Sequence, residues 1–166
     1  MITSIRPIIV DHLKTVDSVK CLVDDRITDI DYNFEDLYGA KANDFVFPAI
    51  SIESVDLAPT YATNCNVNQY TESLNFSLLQ QVNAQHLRAK SPTVKAKEIS
   101  KLRELDTLKE AVLNHLTSLR GNLNYLVDIH MVRVLSASDS VFSTENKSKI
   151  YQVQISLNIT YSKGVI

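Results

Sequence analysis

The sequence predicts an α+β domain, a mostly antiparallel sheet of about four to five strands with two helices packed on one face. Three observations predict it. Residues 150–161 alternate strictly, with Val153, Ile155, Leu157, Ile159 and Tyr161 set against Gln152, Gln154, Ser156, Asn158 and Thr160. That is the pattern of a strand with one buried and one wet face. Residues 102–119 carry Leu102, Leu105, Leu108, Val112, Leu116 and Leu119 at steps of three and four, which form one stripe of a helix. The segments run helix, strands, helix, strands, an order that lays a helical layer on a sheet.

Residues 2–16 read as the first helix, with Ile5, Ile9, Leu13 and Val16 on one face and Ile8 and His12 beside it. Pro7 lacks an N–H and fits only a first turn, so the helix starts near Ser4 or Arg6. Residues 19–27 read as a short strand or irregular link with Val19, Cys21 and Val23 on one side. The acidic stretch 24–44 has no periodicity and contains Tyr32, Phe34, Tyr38 and Gly39. It predicts a long loop over about 28–44, of the kind that often carries function.

Residues 45–57 form a strand with Val46, Ile50 and Ile52 on one face. Pro48 places that strand at an edge, or the proline at its first residue or a bulge. The apolar phase then moves to Val55 and Leu57, which predicts a bulge near Glu53 and Ser54. In the next strand, 70–82, Leu74, Phe76 and Leu78 face inwards and Glu72, Asn75 and Ser77 take the polar positions.

The segment 83–104 is basic and poor in large apolar groups. Ser91-Pro92 can open the central helix early, as N-cap and first helical residue. Alternatively Asp106 caps a shorter helix and 93–104 is a separate turn or helix, and this broken arrangement is the expectation. Gly121 suits the left-handed turn that ends many helices. Residues 125–135 form a strand with Val127, Ile129 and Met131 on one face and, after a slip, Val132 and Val134 on the other. The polar link 136–149 joins it to the last strand as a long hairpin loop.

A chain of 166 residues is long enough for one domain with a substantial core. Apolar residues at 45% and charged residues at 22% are ordinary for a soluble globular chain. No run approaches the ~20 apolar residues of a membrane-spanning helix, and residues 1–14 do not read as a signal peptide. A cytoplasmic protein without membrane partners is expected. The net charge is −2, yet residues 1–60 carry 5 basic and 11 acidic side chains and residues 61–166 carry 12 and 8. That asymmetry suits a charge-complementary contact between copies.

Motifs for chemistry are scarce. Asp29, Asp31, Asn33 and Glu35 imitate the alternating ligands of a calcium loop, but Phe34 stands where its sharp turn needs glycine and Ala40 where its bidentate glutamate belongs. Cys21 and Cys65 match neither a disulfide framework nor a metal spacing. The histidines, including His115 and His130, do not cluster in sequence. Three glycines, at 39, 121 and 164, leave no phosphate-binding loop, and no nucleophile-elbow, zinc-protease or paired-cysteine motif occurs. The Asn-x-Ser/Thr triplets at Asn75, Asn146 and Asn158 read as chance. The basic run 88–103 lacks the interleaved aromatics of a nucleic-acid surface. No catalytic residue, cofactor or metal is therefore expected, and the chain reads as a non-enzyme. Tyr32, Phe34 and Tyr38 in the first loop and Val141 and Phe142 in the second are apolar groups with no evident core role, which makes them candidate partner contacts.

An amphipathic N-terminal helix precedes Asp25-Arg26-Ile27, a loop, and a strand with Phe47-Pro48-Ala49-Ile50-Ser51-Ile52. Another strand, a helix with Ala111-Val112-Leu113 and Leu116, and a closing β-hairpin follow. From about residue 2 to 161 this order resembles the tail terminator (tail completion) proteins of long-tailed bacteriophages, the lambda-type terminator family. The resemblance implies a structural virion protein of the tail or neck. Such a protein forms a hexameric ring on the tail tube, stops tube growth and offers a surface for joining the head. Its partners are then its own copies, the tube protein and a neck or head completion protein, with DNA passing through the lumen without specific binding. An acidic lumen, supplied by the N-terminal part, would let DNA slide. Another neck, connector or tube protein, or a non-viral α+β binding module, remains the alternative.

Overall fold

In a computed structural model of the chain, one mixed, mostly antiparallel sheet of six strands runs in the order β1-β2-β3-β6-β5-β4. The structure describes residues 4–28, 46–59, 69–123, 127–143 and 148–163. The elements are α1 (Arg6–Leu13), α2 (Asp17–Val23), β1 (Ile27–Thr28), β2 (Ala49–Pro59), β3 (Gln69–Asn83), α3 (Ala84–Leu87), α4 (Pro92–Ser118), β4 (Gly121–Leu123), β5 (Val127–Ser143) and β6 (Ser148–Lys163). The fold is α+β. It has more elements than the patterning implied, because β1, β4 and α3 are each shorter than five residues, too short to leave a periodicity.

The long helix α4 buries Leu105, Leu108, Val112 and Leu116 and exposes Arg103, Glu104, Glu110, Asn114 and Ser118, so the stripe read from spacing is the one the core uses. Its start corrects the expectation of a break and of a loop over 83–104. The helix is continuous from Pro92, which sits in the first turn behind Ser91. No apolar stripe marks residues 92–101 because their inward position is held by a buried carboxyl group instead. Glu98 is 1% exposed. It accepts the Asn83 amide at 3.0 Å and the Lys101 ammonium at 3.1 Å, with His86 Nδ1 3.6 Å away. Burial pushes its carboxyl up, but the Asn83 amide and Lys101 more than offset this, so the group titrates below its ordinary value. Gln80 adds a second tie, its amide donating to the Lys101 carbonyl at 3.2 Å. Together these contacts latch the first turns of α4 to the end of β3.

Residues 17–23 form a helix where a strand or link was expected. Val19 and Val23, four apart, are buried, whereas Cys21 is exposed. In so short a segment three apolar residues at steps of two also match a strand, and burial separates the cases. Pro7 lies in the first turn of α1 as its chemistry requires, and Ile5, Ile9 and Leu13 are buried. Arg26 closes the link to the sheet: its Nε donates to the Pro48 carbonyl at 2.9 Å, and Ile50 N donates to the Arg26 carbonyl at 2.9 Å. This starts the single parallel pairing, Ile27 with Ile50 and Thr28 with Ser51.

β2 begins just after Pro48, so the missing N–H interrupts no ladder. The bulge falls between Ser54 and Asp56. It leaves Val55 58% exposed and returns Leu57 to the core side. Glu72 corrects the polar assignment made from its chemistry. It shares parity with Leu74, Phe76 and Leu78 and is fully buried. Its carboxyl accepts Ser4 Oγ, Ile5 N at 2.8 Å, Ser54 Oγ at 2.6 Å and Tyr161 Oη at 3.2 Å. Burial pushes the Tyr161 phenol well above its ordinary value, and Glu72 beside it pushes the same way.

Of the expected loop 136–149, residues 136–143 and 148–149 are strand. β5 runs unbroken to Ser143 and β6 starts at Ser148, so residues 144–147 alone join them. Gly121 has φ +83°, the left-handed region that suits glycine, but it opens β4 and the helix itself ends at Ser118. Helices α1, α2 and α4 share one apolar cluster with the sheet. Uncharged pairs link β3 to β6 on the other face: Thr71 with Thr160, Ser73 with Asn158, Asn75 with Ser156 and Ser77 with Gln152. No helix among the described residues is long and apolar enough to cross a membrane.

Two outcomes follow. Replacing Glu72 by Leu removes the carboxyl that accepts from Ser4, Ile5, Ser54 and Tyr161, and urea unfolding is expected to show a loss of at least about 1–3 kcal/mol. Glu72→Gln, which keeps an acceptor oxygen, should lose less. For Glu98 the folded-state value is depressed, so its stabilisation is complete above about pH 4.5 and is lost as pH falls through the folded value. The stability gap between the natural protein and Glu98→Gln should accordingly shrink on acidification below that point.

Candidate assembly surface

The hairpin of β5 and β6 carries the features that the core does not absorb. β6 pairs with β5 along its whole inner side, whereas β4 covers only Val127 to Ile129 on the outer side. From residue 131 to 141 the outer edge of β5 pairs with no other strand among the described residues. At about 3.3 Å per residue that is an edge of roughly 35 Å whose backbone groups can take a further strand. Two register shifts, between Ile129 and Met131 and between Val134 and Ser136, control what the edge displays. Each adds a residue and turns the following side chains to the other face.

The first shift precedes Met131, not Val132 as the sequence pattern implied. Val127, Ile129, Val132 and Val134 therefore share the helix side, while Met131, opposite Thr160, stands on the other face and is 51% exposed. Leu135 lies within the second irregularity and is 52% exposed. Beyond it Ala137, Asp139 and Val141 take the helix side, opposite Ile155, Val153 and Tyr151.

Helix α4 lies beside this end of the hairpin without closing over it. It leaves a groove of about 280 Å³ lined by Leu102, Leu105, Asp106, Asp139, Val141 and Tyr151 among others. Lys109 Nζ lies 3.8 Å from Asp139 Oδ1 near the groove, an exposed pair that adds little stability. The apolar wall with acidic groups at its margin has room for a side chain or two of a partner, and falls below the size of most small-molecule sites.

Of the sequence candidates, Val141 sits on the groove, half exposed. Phe142 points to the other face, where it is partly buried against the cluster of Leu79 and Ile150, as is Phe47. Tyr32, Phe34 and Tyr38, and the calcium-loop imitation, lie outside the described residues. The structure brings together one pair of residues the sequence left apart. His12 on α1 and His115 on α4 meet with their Nε2 atoms 2.8 Å apart. Burial holds both imidazoles below their ordinary value, and His12 adds to the effect on His115. His130 instead contacts Ser162 Oγ at 2.9 Å. Among the described residues no group of three or more His, Cys, Asp or Glu is placed to hold a metal ion. The pairing of His12 with His115 had one sequence signal, since both lie beside the apolar stripe of an amphipathic helix. Met131 and Leu135 carried none, because their exposure depends on bulges.

No family model matches the chain, and no curated protein matches it.

The division between surface and core is measurable. In dilute protein, Val141→Ser and Leu135→Ser are expected to shift urea unfolding by no more than about 0.5 kcal/mol. Phe142→Ser should cost about 1–3 kcal/mol, because it removes a packed ring.

Proposed function

We propose that this chain is a structural virion protein of the phage tail terminator type, which assembles as a hexameric ring on the end of a tail tube. The observation that carries this reading is the edge of β5 from residue 131 to 141, which pairs with no other strand among the described residues and has Met131, Leu135 and Val141 half exposed along it. A long unpaired strand with apolar groups is a liability in a protein that stays alone. It becomes an asset where another chain completes it. The edge lies towards one end of the sheet and β1, with α1 against β1 and β2, lies at the other, so a contact from one copy to the next uses two different surfaces. Repeated by rotation, such a heterologous contact closes a ring.

In this reading the edge and the groove beside α4 are the ring contact. A strand of this length with a groove alongside has the reach for the roughly 1,200–2,000 Å² that stable interfaces bury. The ring's two rims then meet the tube protein on one side and a neck or head completion protein on the other. DNA passes through the hole without specific contacts, and the acidic residues of segment 1–60, 11 against 5 basic, keep it sliding by repulsion. The role asks for positioned surfaces and no chemical step, cofactor or metal.

Light scattering across a concentration range, paired with negative-stain images, tests this. The expected result is a ring of about six 18.7 kDa copies with a central hole, dispersed by Leu135→Asp combined with Val141→Asp. A protein that stays monomeric and also fails to cap growing tail tubes overturns the proposal.

A further inference from the structure

His12 and His115 are 103 positions apart in sequence, and the α1–α4 seam brings their rings together. Their Nε2 atoms are 2.8 Å apart, the ring centroids 4.8 Å, and the ring planes 27° from parallel. A nitrogen–nitrogen contact this short, with centroids only 2 Å further apart, means that the two rings meet almost head to head. One Nε2–H donates to the other Nε2. Both residues are only half buried, so the meeting point is open to solvent on one side.

We propose that His12 and His115 form a two-imidazole binding site for a late first-row transition ion, of the class Zn²⁺, Ni²⁺ or Cu²⁺, at this seam. Imidazole is a preferred ligand for these ions, whereas Mg²⁺ and Ca²⁺ take oxygen. Two nitrogens held side by side on one ion at about 2.0–2.1 Å sit roughly 2.9–3.4 Å apart. The pair, at 2.8 Å, is a few tenths of an ångström from that spacing, and a modest swing of each ring about its χ2 turns the two lone pairs to one point on the solvent side. Water completes the coordination shell.

The proton balance is simple. The donor ring's hydrogen moves from Nε2 to Nδ1, and both rings stay neutral, the form that binds metal. Nothing opposes that move, since neither Nδ1 makes a hydrogen bond among the described residues. The charged groups on and beside the packed elements are Arg6 and Asp11 on α1, Lys14 just after it, Asp17 and Lys20 on α2, and, closest in sequence to His115 on α4, Lys109 and Glu110. None of them forms an ion pair with either ring among the described residues. An ion held here would staple the N-terminal helix to the helix on which the core is built.

The test is calorimetric titration of tag-free protein with Zn²⁺ and with Cu²⁺, alongside His12→Gln, His115→Gln and, as a control, His130→Gln. One ion per chain is expected, bound about tenfold or more weaker after either of the first two changes and unaffected by the third. Excess Mg²⁺ should not compete. Electron paramagnetic resonance of the Cu²⁺ form of the unaltered protein gives a second readout that needs no variant, and two equivalent nitrogen couplings are expected. Absence of binding, binding that survives both substitutions, or a spectrum with fewer than two nitrogens overturns the proposal.

Discussion

The Glu72 carboxyl is the constraint on which the rest of the packing depends. It lies at zero exposure at the first buried position of β3's inward row, where an unpartnered polar group costs several kcal/mol. Four donors meet it, and they come from different parts of the chain: Ser4 and Ile5 at the start of α1, Ser54 on β2 and Tyr161 on β6. Apolar contacts alone would let α1 slide on the sheet at small cost, since Ile5, Ile9 and Leu13 are interchangeable in kind. The carboxyl removes that freedom, because only one placement puts the Ile5 amide at 2.8 Å. The bulge after Ser54 belongs to the same arrangement. It lets Ser54 point at Glu72 and still returns Leu57 to the apolar cluster.

Glu98 repeats the device at the other end of β3, where Asn83 and Lys101 meet it and the first turns of α4 are held without an apolar stripe. The two buried glutamates explain what a sequence reading could and could not reach. The stripe on α4, the alternation on β6 and the bulge in β2 were legible because each is a periodic apolar signal and the core uses it directly. Glu72 and Glu98 were misplaced because residue type stood in for position. A charged residue is normally on the surface, and the parity that put Glu72 in line with Leu74 carried less weight than its chemistry. The period of α2 was ambiguous for a different reason, since seven residues are too few to separate steps of two from steps of four.

The candidate surface was legible only in part, and the reason is physical. Val141 could be picked out as an apolar residue without an obvious core role. Met131 and Leu135 could not, because two register shifts decide which way they point, and a shift leaves little trace in composition. Phe142 shows the converse: its side chain follows strand parity to the opposite face and finds Leu79 and Ile150.

The misreading of 136–143 as a loop bears on function. Ser136, Ala137, Ser138, Asp139 and Ser140 are polar or small on both faces, so nothing in them asks for a core. They are nevertheless strand, and among the described residues they pair with β6 on one side only. Burial does not hold them there, since an end strand with both faces wet gains little from its own domain. Its length exceeds what the core requires, because α4 borders it without closing over it and leaves the groove beside Val141. Places where local pattern and observed structure disagree tend to be those shaped by a demand outside the fold. A strand built beyond its own core, with an open ladder and apolar groups at intervals, meets such a demand if the second side of the ladder belongs to another chain.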